Sequence, residues 1–161
     1  MRMRSAVALL VLSSVVGAAP WRDTLGDSTY GTITAVRRSN LVVFNYGKGE
    51  YNVALVGIAV SGNNAVEARA RQFLNSMVLG KRVQFRFEYR ARNGEMIGRL
   101  LTTDSASAAS GRPFVPRDVG VELVAAGLAR RQADYDYKYQ ELSKAESSAR
   151  TARRGLWATN R

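Results

Sequence analysis

Thr32-Ile33-Thr34-Ala35-Val36, Leu41-Val42-Val43-Phe44 and Tyr51-Asn52-Val53-Ala54-Leu55-Val56-Gly57-Ile58 lie close together in the chain. Their β-branched and aromatic content predicts three β-strands. Arg37-Arg38-Ser39-Asn40 forms the turn between the first two, and Gly47-Lys48-Gly49-Glu50 reads as the next hairpin tip. Working outward, Ser61-Gly62-Asn63-Asn64 is a strong turn signal. It is followed by a helical stripe of Val66, Ala70, Phe73, Leu74, Met77 and Val78, with Asn64 as the expected N-cap, Glu67 as its capping-box partner and Gly80 as the stop. Such a stripe packs into a core.

Val83, Phe85, Phe87 and Tyr89 then alternate with Arg82, Gln84, Arg86 and Glu88, the period-two pattern of a half-buried antiparallel strand. Arg92-Asn93-Gly94 turns the chain into a returning strand from Ile97 to Thr102. A Ser/Ala-rich loop from Ser105 to Gly111 leads to a helix carrying Val119, Leu123, Val124 and Leu128, with Gly127 near its end. A last helix, from about Tyr137 to Arg154, places Leu142, Ala145, Ala149 and Ala152 on one side before Gly155, Leu156 and Trp157. The order predicts an α+β fold with a mainly β core: a five-stranded Greek-key barrel of OB type with three helices.

Composition narrows the chemistry. The 161 residues contain neither Cys nor His, which removes disulfides, thiolate nucleophiles, the usual zinc sites and any histidine base. Hydrolysis would have to run on carboxylates, arginines and a hard cation bound through oxygen.

Met1-Arg2-Met3-Arg4 precedes an uncharged, apolar run from Ala6 to Ala19, so residues 1–20 read as a signal peptide or membrane anchor. Ala18 suits signal cleavage. Trp21 suits an interfacial anchor, and Arg2 and Arg4 suit mitochondrial import. The expected locations are accordingly a membrane, the secretory pathway or extracellular space, or the mitochondrial inner membrane. Residues 21–30 read as a linker, 31–158 as the folded domain and 159–161 as a tail. Without Arg2 and Arg4 the chain keeps a net charge of about +9. That charge suits nucleic acid, an anionic membrane or an acidic protein partner, and equally describes a solvated basic surface. Residues 37–99 hold eleven Lys or Arg and only Glu50, Glu67, Glu88 and Glu95 as acids.

Four phrases in order are more specific. They are Leu55-Val56-Gly57-Ile58, Ile97-Gly98-Arg99-Leu100, Glu122-Leu123-Val124-Ala125-Ala126-Gly127-Leu128-Ala129, and Ala145-Glu146-Ser147-Ser148-Ala149-Arg150 running to Gly155-Leu156-Trp157. From about Gly31 to Trp157 the chain resembles the staphylococcal nuclease-like family. The resemblance implies calcium-dependent phosphodiester hydrolysis by two aspartates, a glutamate and two arginines. A hard cation needs oxygen ligands, and a five-coordinate phosphate needs guanidinium forks.

The family's Asp-Gly-Asp-Thr turn falls here on Arg37-Arg38-Ser39-Asn40. Its Gly-Ile-Asp-Ala-Pro-Glu phrase falls on Gly57-Ile58-Ala59-Val60-Ser61-Gly62, and its first arginine on Val53 or Ala54. Only Arg99 matches a site position. Glu67 reads as a helix N-terminal acid and Glu50 as a solvated tip; Asp27, in a Gly26-Asp27-Ser28-Thr29 segment that resembles an aspartate loop, reads as a turn. Losing one electrostatic group typically costs on the order of 10² to 10³ in rate, so no catalytic residue, metal ligand or cofactor is expected.

The resulting expectation is a catalytically inactive, nuclease-like binding or structural module. Arg37, Arg38, Arg82, Arg86 and Arg99, together with Arg90 and Arg92, form its basic strand face. Tyr135 and Tyr137, with Tyr139, would stack on bases, or else pack under the last helix; Asp134 and Asp136 between them oppose a phosphate backbone. The resemblance also includes membrane-tethered, catalytically degenerate mitochondrial members, which implies a membrane or protein-complex role as well. The alternative is an active calcium-dependent endonuclease with a rearranged site drawing on Glu67, Asp27 or Glu50.

Overall fold

The computed structural model describes residues 28–47, 49–103, 115–135 and 140–158. The apolar leader, Trp21 to Asp27, the Ser/Ala loop, Tyr137, Tyr139 and the tail therefore lie outside the described residues.

Five strands close a barrel in the order β1 (Ser28–Arg38), β2 (Leu41–Tyr46), β3 (Gly49–Leu55), β6 (Met96–Thr102) and β5 (Arg82–Arg90). Only β3 and β6 run parallel; the other pairs are antiparallel. α1 (Asn64–Val78) connects β4 (Ile58–Val60) to β5. After β6 come α2 (Val119–Ala125), β7 (Ala129–Arg131) and α3 (Gln140–Thr151), with short 3-10 turns at Ala133–Tyr135 and Gly155–Trp157. The five-stranded order and the helix after the third barrel strand are those of an OB-type α+β fold.

The inward positions of the barrel form one core with Ile33, Phe44, Val53, Phe85, Met96 and Leu100, all essentially inaccessible. Phe44 and Phe85 lie with ring centroids 5.6 Å apart. Opposite Phe87, Gly98 is required by close approach: a Cβ there would run into the Arg86 carbonyl and come within 2.7 Å of the Phe85 ring. Leu123, Val124, Leu142 and Ala145 extend the same core outside the barrel, so α2 and α3 pack on it as a layer.

Several elements differ from the sequence reading. β1 begins at Ser28, inside the segment read as linker, because Ser28, Thr29 and Tyr30 pair with Arg86, Phe85 and Gln84. The third predicted strand is broken: β3 ends at Leu55, and Gly57 turns at φ +73° before β4. Glu50 belongs to β3 and accepts a hydrogen bond from Thr34 Oγ1 at 3.1 Å, so it is not a bare tip. The α1 cap is Asn63, whose side chain accepts from the amides of Ala65 and Val66. That leaves Glu67 one position too late for a capping box. α2 stops at Ala125, before Leu128, and Ala152 lies beyond α3, exposed. β7 has no signal in local sequence; it exists through antiparallel pairing of Ala129–Arg131 with Ile58–Val60.

Candidate functional site

Arg99 sits in β6 directly opposite Arg86 of β5. The parallel β3–β6 pairing brings Val56 alongside, its amide donating to the Gly98 carbonyl at 3.0 Å. The Arg99 guanidinium does not project freely: Nε donates to Asp118 Oδ2 at 2.6 Å, and both side chains are largely covered, at 18% and 14% exposure. Asp118 is simultaneously the N-cap of α2, with Oδ1 accepting from the amides of Gly120 at 2.8 Å and Val121 at 3.1 Å. Each oxygen of this carboxylate is thus engaged. Val56, Val121 and Leu142 complete the surroundings, and the cavity left over is about 10 Å³, which is near the minimum for one water molecule. That space is smaller than a phosphate group.

The segments expected from the resemblance to carry metal ligands hold other contacts. The β1–β2 turn is Ser39-Asn40, and Ser39 is buried at 1% exposure. Its amide donates to Glu67 Oε1 at 2.9 Å and its hydroxyl donates to Glu67 Oε2. Glu67 therefore fastens the turn to α1. Ala59 and Val60 lie exposed in β4, and Ala54 is buried. Among the described residues no three acidic side chains come together as a metal-binding group. The donors among the described residues do not fit calcium, which takes six to eight oxygen ligands. Asp27 lies outside the described residues.

The predicted binding residues separate into groups. Arg82 and Arg86 are exposed on one face of β5, about 13 Å apart at roughly 3.3 Å per residue. Arg37 and Arg38 lie at the far end of β1, where Arg38 pairs with Glu95 at 2.9 Å. Arg37, Arg82 and Arg86 take no part in the ion pairs among the described residues. Tyr135 is half-buried with its hydroxyl oxygen covered, and its ring lies where a Cβ on Gly57 would meet it at 2.8 Å. It packs against the β3–β4 turn.

Tyr30 was not singled out from sequence, and of Trp157 only its place in the chain was. Tyr30, 47% exposed, has the Arg82 guanidinium 5.4 Å from its ring centroid; its placement within the supposed linker concealed it. Trp157 is flanked by the guanidinium groups of Arg130 at 4.9 Å and Arg150 at 4.2 Å. Nearby, buried Glu146 accepts from Arg131 at 3.2 Å and pairs with Arg150 at 3.4 Å. These contacts tie the chain end to α3 and β7.

The closed five-stranded barrel with its helices is an OB-type α+β fold. A family model described as staphylococcal nuclease homologue matches residues 62–159, more than half of the chain, and the protein belongs to that family. The match begins after β4, so the strands on which the metal-bearing phrases fall lie outside it. No curated protein matches the chain.

Proposed function

We propose that this protein is a catalytically silent member of the staphylococcal nuclease family that binds nucleic acid through the basic outer face of its barrel. One contrast carries the reading. The guanidinium at the family's reacting position, Arg99, is neutralised by Asp118 under apolar cover, whereas Arg82 and Arg86 are exposed and paired to no acid among the described residues. Electrostatic stabilisation of a phosphorane needs preorganised charge aimed at the reacting atoms. Backbone binding needs only accessible cations and is independent of sequence.

The amino-terminal run from Ala6 to Ala19 supports delivery to, or anchoring in, a membrane of the secretory pathway or the mitochondrion. Among the described residues no helix is long and apolar enough to cross one. An anionic leaflet would attract the same basic face, at about 1 kcal/mol per cation near the surface.

The test uses the full-length protein with labelled single-stranded DNA and RNA, with and without calcium, at low and moderate salt. Binding that falls steeply with salt, without cleavage, is the expected result. Calcium-dependent cleavage abolished by Arg99→Ala would overturn the catalytic half of the proposal and restore the rearranged endonuclease. Absence of binding at low salt would overturn the other half.

A further inference from the structure

A groove of about 1160 Å³ runs between the carboxy-terminal half of α1, the start of β5, the end of β6 and Val115–Arg117. It is larger than the sites that enclose small molecules, about 300–1,000 Å³. Among the described residues it shares no lining residue with the Arg99 cavity, and no acidic one lines it.

Its parts are unlike one another. Tyr30 stands on the outer face of β1 opposite Gln84, with Arg82 over its ring. Phe73 and Met77, one turn apart on α1 and half-buried, make an apolar floor. Lys81 donates to the Ser76 carbonyl at 2.9 Å, which holds its ammonium at the rim with two further donors to spare. Arg117 is different: its fork is engaged with Glu122 at 2.8 and 2.6 Å. That hydrogen-bonded carboxylate raises the Arg117 pKa above its already high ordinary value. Arg117 shapes the groove wall and brings little net charge.

We infer that this groove holds unpaired nucleotides, with a base stacked at Tyr30 and the flanking phosphates at Lys81 and Arg82. A duplex hides its base faces and offers nothing for an exposed aromatic ring above an apolar floor. A membrane surface has no use for a walled groove. A single strand presents both a π-face and a phosphate at each nucleotide, which is the pairing of groups this groove provides. Among the described residues the other exposed tyrosines, Tyr46 and Tyr89, do not line it.

The inference rests on the nucleic-acid reading above and adds the strandedness of the ligand and its place on the fold. The test measures fluorescence anisotropy of the full-length protein with a fluorescein-labelled oligothymidylate and with a duplex of equal length. The single strand binds more tightly. Tyr30→Ala weakens it about fivefold to a hundredfold without changing the salt slope, and Tyr30→Phe, which keeps the ring, binds as the native protein does. Arg82→Ala lowers the log–log salt slope by about 0.7. Equal binding of duplex and single strand, or native affinity in Tyr30→Ala, overturns the inference while leaving nucleic-acid binding in place. Failure of both probes to bind at low salt overturns the inference and the reading beneath it together.

Discussion

Replacing Asp118 with alanine removes three interactions at once: two helix-capping hydrogen bonds, to the amides of Gly120 and Val121, and the 2.6 Å contact with Arg99 Nε. The cap is worth about 1 kcal/mol. Breaking a fully buried ion pair costs about 3–5 kcal/mol, mainly through the charge left behind. Arg99 keeps 18% of its side-chain exposure, so a cost of about 2 kcal/mol is the better figure for stranding its guanidinium. Asp118→Ala is then expected to destabilise the protein by about 3 kcal/mol in all, a fall in Tm of about 6–12 °C for a chain of this size. Arg99→Met keeps an unbranched chain against Val56 and Leu142 and leaves the cap intact, but it strands Asp118 Oδ2, so it is expected to cost about 1–3 kcal/mol. The double variant should recover about 2 kcal/mol relative to additivity. Urea unfolding at constant m measures all three variants. A loss in Asp118→Ala of only the cap, with the double variant additive, would refute the argument. Arg99 would then be served by water and open to phosphate.

Glu67→Ala strands both donors of buried Ser39 and is expected to cost about 1–3 kcal/mol, with Glu67→Gln milder; a loss of cleavage without a loss of stability would instead make Glu67 catalytic. Gly57→Ala combines a left-handed φ of +73° with a Cβ only 2.8 Å from Leu142 and Tyr135, and should lower stability by about 2 kcal/mol in the same unfolding assay. Millimolar calcium should leave Tm unchanged, because the described residues bring no carboxylate cluster together. A site filled at one hundred times its Kd would add about 2.7 kcal/mol and appear as a clear rise.

Where the physical cause was local, the sequence carried the fold. The alternation from Arg82 to Phe87 is written by the pleat itself, with Val83, Phe85 and Phe87 buried; it fails at Tyr89, which a register shift after Phe87 leaves exposed. In α1, Ala70, Leu74 and Val78 are buried, as the helical period requires. Asn93-Gly94 made the hairpin, and Gly80, at φ +71°, ended the helix. Where the cause lay elsewhere in the chain, local reading failed. β7 depends on partners at Ile58–Val60, and the beginning of β1 depends on β5.

The candidate site divides in the same way. Sequence alone determined that Arg37, Ser39, Ala59 and Gly62 stand where the resemblance leads one to expect carboxylates, that an arginine occupies position 99, and that the chain is strongly basic, because residue identity needs no fold. Only the tertiary structure decided that Arg99 is occupied by Asp118, that Glu67 is occupied by Ser39, and that Tyr30 rather than Tyr135 faces outward beside Arg82. Charge and hydrogen bonding act over a few ångströms in space, and barrel closure sets which distant residues come that close.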